Sequence, residues 1–185
     1  MPRGRTHWLI GNSWSIRPHF RELSCMTDKN PDFSPIRMRA RGFVSQGRIE
    51  DALGLYGDIL KVAPNDAATY ADRGTTFAMI KKTDLALNDL NRAIELGYTD
   101  PSAYCTLATI FLEGGGYQKS LDYFDKALKL NPDQPFVYFN RARAYETLGD
   151  LKAAIADLER CLSYNPDDAL SAKIKDRVTQ LRART

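Results

Sequence analysis

Arg37 and Arg41 lie one helical turn apart, and Phe136 and Phe139 lie three residues apart. By type and spacing these four could do chemistry. Residues at i and i+4 share one face of a helix, so two guanidiniums there could grip a carboxylate by charge-assisted hydrogen bonds. Two aromatics on an accessible face could anchor an apolar side chain of a partner. Groups that would break or make bonds do not come together. The chain has two histidines, His7 and His19, both near the N-terminus, so neither a His-based triad nor a pair of helical metal ligands can be drawn. Gly114-Gly115-Gly116 lacks the Gly-Lys-Ser/Thr ending and the preceding strand of a phosphate loop, and reads as a turn. The expectation is a protein without catalytic residues, metal or cofactor.

Composition narrows the partners. A net charge of +3 on 185 residues is too small to argue for nucleic acid. No apolar run approaches the roughly 20 residues that span a bilayer. Cys25, Cys105 and Cys161 form no CxxC pair, and an odd count argues against a disulfide framework. Reduced thiols in a cytoplasmic protein are expected.

What must position these side chains is a period of 34 residues, in register from Phe33. The fourth position of each unit is Ile36, Tyr70, Tyr104 and Tyr138. The eighth is small: Ala40, Gly74, Ala108 and Ala142. The eleventh is aromatic: Phe43, Phe77, Phe111 and Tyr145. Further on come Ala52, Ala86, Ser120 and Ala154, then Tyr56, Leu90, Phe124 and Leu158. Each unit closes on Ile59, Ala93, Ala127 or Cys161, then Pro64, Tyr98, Pro132 or Pro166. Self-similarity at this spacing marks a helical repeat array.

Inside each unit the apolar positions recur every three or four residues, and a short turn separates two such runs. Two antiparallel helices per unit follow. The spacing predicts helix pairs at 34–46 with 49–61, 67–80 with 83–96, 101–113 with 117–129, and 135–148 with 151–163. Asn131-Pro132 and Asn165-Pro166 stop second helices, because proline has no amide donor and disfavours helix before it. A last helix near 168–183 sets Ala172, Ile174, Val178 and Leu181 among charged residues, the composition of a terminal cap.

On these columns, and on phrases such as Asn140-Arg141-Ala142 and Lys126-Ala127-Leu128-Lys129-Leu130-Asn131-Pro132, the chain resembles the tetratricopeptide repeat family over residues 33–183. The resemblance implies an all-α, right-handed solenoid of four helix-turn-helix repeats over 33–166 (33–66, 67–100, 101–134 and 135–168 in register), with 167–185 as a capping helix. The second unit departs from the pattern with Lys81 for glycine and Tyr98 for proline, the third with Ser120 for alanine. The resemblance further implies a concave groove, lined by first helices, that binds a peptide or partner helix. In the repeat register Arg37, Arg41, Asp72, Cys105, Phe136, Phe139, Asn140 and Arg143 face that groove and are the candidate partner-binding residues. Family members that hold acidic chaperone tails use a set of Lys, Asn and Arg. Here the corresponding positions read Arg37, Arg41, Asp72, Ser102 and Thr106, or Ala71, Thr75, Thr106, Phe136 and Asn140 one unit later, so no carboxylate clamp is expected. The implied function is a protein-interaction scaffold, with a self-associating structural subunit as the alternative.

Residues 1–32 fall outside the repeat and hold both tryptophans, Trp8 and Trp14, with Arg3, Arg5, Arg17 and Arg21 before the first acid, Glu22. Three readings stay open: an organelle transit leader, a degenerate helix near 18–29 packed on the first unit, or a translation start at Met26. A disordered or partly helical segment is the expectation for an untethered terminus.

Overall fold

The computed structural model describes residues 31–185, so the expectations for the N-terminal segment lie outside the described residues. These residues form helices α1 (Ser34–Ser45), α2 (Ile49–Val62), α3 (Ala67–Met79), α4 (Thr83–Glu95), α5 (Pro101–Glu113), α6 (Tyr117–Leu130), α7 (Pro135–Leu148), α8 (Leu151–Leu162) and α9 (Asp168–Arg182). The fold is an all-α solenoid of helix pairs, and each helix falls within one or two residues of its sequence expectation.

The turn inside each pair has one physical solution, used four times. Gly47, Lys81, Gly115 and Gly149 adopt left-handed φ of 75°, 59°, 79° and 85°. The next amide then reaches back to the eleventh-position aromatic. Arg48 N donates to Phe43 O at 2.8 Å, Lys82 N to Phe77 O at 2.9 Å, Gly116 N to Phe111 O at 2.8 Å and Asp150 N to Tyr145 O at 2.9 Å. This bond, with that from the left-handed residue itself, is a Schellman closure of the first helix. Tyr98 reads the same way at the end of α4. Gly97 takes φ 86° and the Tyr98 amide donates to Ala93 O at 2.9 Å, a bond that proline could not make.

Small residues set how closely paired helices cross. Ala40 and Ala52 are both 0% exposed. At Gly74 an added Cβ would lie 2.9 Å from Leu90 Cγ and 3.1 Å from Leu90 N, which accounts for glycine there. Ser120 replaces the usual alanine at no cost, because its buried hydroxyl donates to Ala108 O at 2.8 Å. First helices begin on Asp66 and Asp100, whose carboxylates accept from Thr69 N at 2.7 Å and Ser102 N at 2.8 Å.

Two buried ion pairs tie the halves of a pair together. Arg73 reaches Asp89 at 2.6 and 2.8 Å, and Arg141 reaches Asp157 at 2.8 and 2.7 Å. Each guanidinium also sits beside its own helix's fourth and eleventh aromatics, Tyr70 and Phe77 for Arg73, Tyr138 and Tyr145 for Arg141. Burial opposes the charge on Arg141, but its bonds to Asp157 and then Asp125 more than offset that and hold it above its ordinary pKa. At the C-terminal end Ile174, Val178 and Leu181 of α9 join Ala142, Ala154, Leu158 and Cys161 in one core.

First helices of successive pairs approach one another (α1 to α3, α3 to α5, α5 to α7), whereas successive second helices do not. The array therefore curves with the first helices on its inner face.

Two outcomes follow. The left-handed conformation costs a non-glycine residue roughly 1–2 kcal/mol, and the exposed Lys81–Glu113 pair at the same turn offsets less than about 1 kcal/mol. Lys81→Gly should raise stability by about 0.5–1 kcal/mol, read as a higher urea midpoint at unchanged m-value. Asp157→Ala, which leaves Arg141, at 17% exposure, with only the half-exposed Asp125 as counter-ion, should cost about 3 kcal/mol in the same titration. Asp125→Ala, which removes a carboxylate that is 47% exposed, should cost less than about 1 kcal/mol.

Candidate functional site

The inner face holds two cavities. The more polar of the two, about 380 Å³, is lined in part by Arg41, Val44, Asp72, Tyr98, Asp100 and Ser102. A more apolar one of about 290 Å³ is lined in part by Ala78, Met79, Lys81, Cys105, Ile110 and Phe136. Thr75 and Met79 of α3 line both, so the two run together as one groove across α1, α3, α5 and the start of α7.

The cations expected to grip an anion are already occupied. Arg41 holds Asp72 through Nε at 3.1 Å and a second guanidinium nitrogen at 2.7 Å. Arg37 lies against Asp66 at 3.3 Å and Asp72 at 3.8 Å and also donates to Ser34 Oγ at 3.0 Å. Burial raises the Asp72 pKa above its ordinary value, and the hydrogen bonds and charge of Arg41 offset only part of that. The bond to Asp72 in turn raises Arg41. Asp72, one of the positions at which the clamp set is not met, is thus also the counter-ion of the first unit's arginines.

The two phenylalanines part company. Phe136 is 63% exposed at the rim of the apolar cavity. Phe139 is half-buried against the core that α9 completes. Asn140 is buried: its Nδ2 donates to Phe136 O at 3.0 Å, and its Oδ1 accepts from the exposed Arg143 at 3.0 Å. Cys105 lines the apolar cavity, its thiol donating to Gln134 Oε1 at 3.7 Å. The structure therefore brings Arg41 and Asp72 into one cavity and Cys105 and Phe136 into the other. It leaves Arg37, Phe139 and Asn140 engaged within the fold.

Sequence reasoning passed over Lys81, Tyr98, Asp100, Ile110 and Glu113. A signal existed for two of them, since Lys81 and Tyr98 are the places where the second unit breaks the period. Both departures line the groove. Lys81 Nζ meets Glu113 Oε2 at 2.6 Å. Asp100 is exposed and has no basic partner among the described residues. Neither His7 nor His19 lies within the described residues, and these contain no cluster of three metal-ligating side chains. No described helix is long and apolar enough to cross a membrane.

An α-solenoid with a concave groove is the architecture of a repeat protein that holds other proteins. Two tetratricopeptide-repeat family models match this chain, one over residues 37–103 and one over 107–179. The chain belongs to the tetratricopeptide repeat family, and its fold is in general a protein–protein interaction scaffold. Among solved structures it is similar to MamA protein, at 22% identity over 80% of this chain and 86% of that one, with a TM-score of 0.65. It is also similar to pilF of Pseudomonas aeruginosa, at 16% identity over 80% and 68% of the two chains, with a TM-score of 0.71. A third is YrrB, described as a TPR protein with an unusual peptide-binding site, at 16% identity over 82% and 87%, with a TM-score of 0.62. At these identities the likeness is one of fold.

Burial, then the negative field of Asp100, pushes the Cys105 thiol up to about 11 from 9.0. A thiol raised by two units holds roughly 100-fold less thiolate at pH 8, and thiolate is the reactive form. Alkylation of Cys105 by iodoacetamide at pH 8, followed by peptide mass spectrometry, should be slower in the folded chain by about that factor and return to an ordinary rate in denaturant.

Proposed function

We propose that this chain is a non-enzymatic scaffold that holds an extended segment or helix of a partner protein in the groove of its first helices. An apolar side chain of the partner enters the cavity between Met79 and Phe136. The observation that carries the reading is the pairing of that cavity with two large apolar residues left open at it, Met79 at 61% and Phe136 at 63% exposure. Exposed aromatic and methionine side chains around a concavity are what an interface core uses.

The ligand's chemistry differs from what the two arginines suggested. Arg37 and Arg41 are neutralised by Asp66 and Asp72, so an acidic chaperone tail finds no open set of cations. Affinity comes from apolar burial, and polar contacts at the Tyr98–Asp100–Ser102 end fix direction.

Met79→Glu and Phe136→Glu replace side chains that are more than half exposed, so helix content and Tm should not change. Both should remove the proteins that co-purify with the wild-type chain from its native cell. Undiminished recovery with both variants would sink the groove reading. Light scattering tests self-association as the alternative: a wild-type dimer that Phe136→Glu converts to monomer would replace a separate partner with a second copy.

A further inference from the structure

We propose that the partner segment held in this groove is basic as well as apolar. It places a large apolar side chain between Met79 and Phe136 and, toward the N-terminal end of α5, a lysine or arginine whose cation meets Asp100. The inference rests on the groove reading above and names the chemistry of its ligand.

Charge complementarity carries it. The charged side chains lining the two cavities are Arg41, Lys81, Asp72, Asp100 and Glu113. Arg41 is taken up by Asp72 at 2.7 Å and Lys81 by Glu113 at 2.6 Å. Asp100 is left over, exposed and with no basic partner among the described residues. Its Oδ1 accepts from Ser102 N at 2.8 Å as the cap of α5, which leaves the second oxygen to a ligand. Burial first, and the field of Asp100 next, raise both Tyr98 in the more polar cavity and Cys105 in the apolar one. One carboxylate is thus felt from both halves of the groove. An acidic ligand residue there would meet this charge with no open cation among the lining residues, whereas a lysine or arginine completes a pair.

The spacing follows from α5, which borders both cavities. Asp100 caps its start, while Cys105, Thr109 and Ile110 line the apolar cavity. At a helical rise of about 1.5 Å per residue, the middle of that cavity lies about 10–12 Å along α5 from Asp100. An extended ligand covers that distance in roughly three or four residues. A helical ligand covers it in about seven, which is two turns and returns to the same face. A basic residue is therefore expected at one of these two spacings from the apolar anchor.

Random linear peptides displayed on phage and selected on the full-length chain supply the probe. The selected peptides should carry lysine or arginine at one of the two spacings from a large apolar residue. A synthetic copy, titrated by fluorescence anisotropy, should bind Asp100→Asn roughly three- to fivefold more weakly than wild type, the range of an exposed ion pair. Asparagine also caps helices, so far-UV circular dichroism and Tm should not change. Replacing the peptide's cation by glutamine should cost the same factor on the wild-type chain and nothing further on Asp100→Asn. Asp100→Lys should prefer the peptide in which glutamate replaces that cation. Selected peptides with no cation at either spacing, a selection that yields no binder, or undiminished affinity for Asp100→Asn overturns the proposal. Met79→Glu and Phe136→Glu separate it from the groove reading. Binding lost in both, with Asp100→Asn at full affinity, keeps the groove and overturns only the basic ligand. Binding kept in both, with Asp100→Asn weakened, puts the peptide outside the groove and overturns both.

Discussion

Each pair of helices packs against a small residue of its first helix, and the distance allowed there governs the rest. Ala40 and Ala52 share one core and Ala142 and Ala154 another, while Gly74 lies against Asp89 and Leu90. Ser120 reports the contact directly through its bond to Ala108 O at 2.8 Å. With helices this close, the aromatics at positions four and eleven cannot fit between them and lie to the sides, where they flank Arg73 and Arg141. Interiors pack as densely as organic crystals, so a methyl group added at such a crossing moves a helix.

Curvature follows from the same crossing. First helices of neighbouring pairs touch and second helices stand apart, so the inner face is continuous and concave. That places Met79, Cys105 and Phe136, from three separate helices, around one cavity. The groove exists because the repeats are identical where they pack. It has character because they differ where they do not.

Charge is managed by proximity more than by number. Arg41 and Asp72 are 31 residues apart in sequence and form a two-pronged pair across neighbouring first helices. Arg141 is shared between Asp157 of its own pair and Asp125 of the preceding one. The Arg41–Asp72 and Arg141–Asp125 pairs join neighbouring repeats, and Asp72 and Arg141, the less exposed members, each have a second partner of opposite charge.

The sequence by itself determined the helices, their pairing and the family, because those depend on local spacing that a period records in full. The eleventh-position aromatics and the following turn residues were legible to within one or two positions, Lys81 included, since the turn has one solution and glycine or a strained substitute marks it. The candidate site was legible only in part. Phe136 and Cys105 stood at the groove as their register implied, while Asn140 in the same register turned inward and Phe139 joined the core closed by α9. Register assigns a side chain to a helix face but not to what the next helix brings against that face. The fates of Arg37 and Arg41 were decided by tertiary structure, because a guanidinium's availability depends on the carboxylates within about 4 Å of it. Of those carboxylates, Asp72 comes from the next repeat and Asp66 from the cap that leads into it, and only the packing of α3 on α1 brings them near.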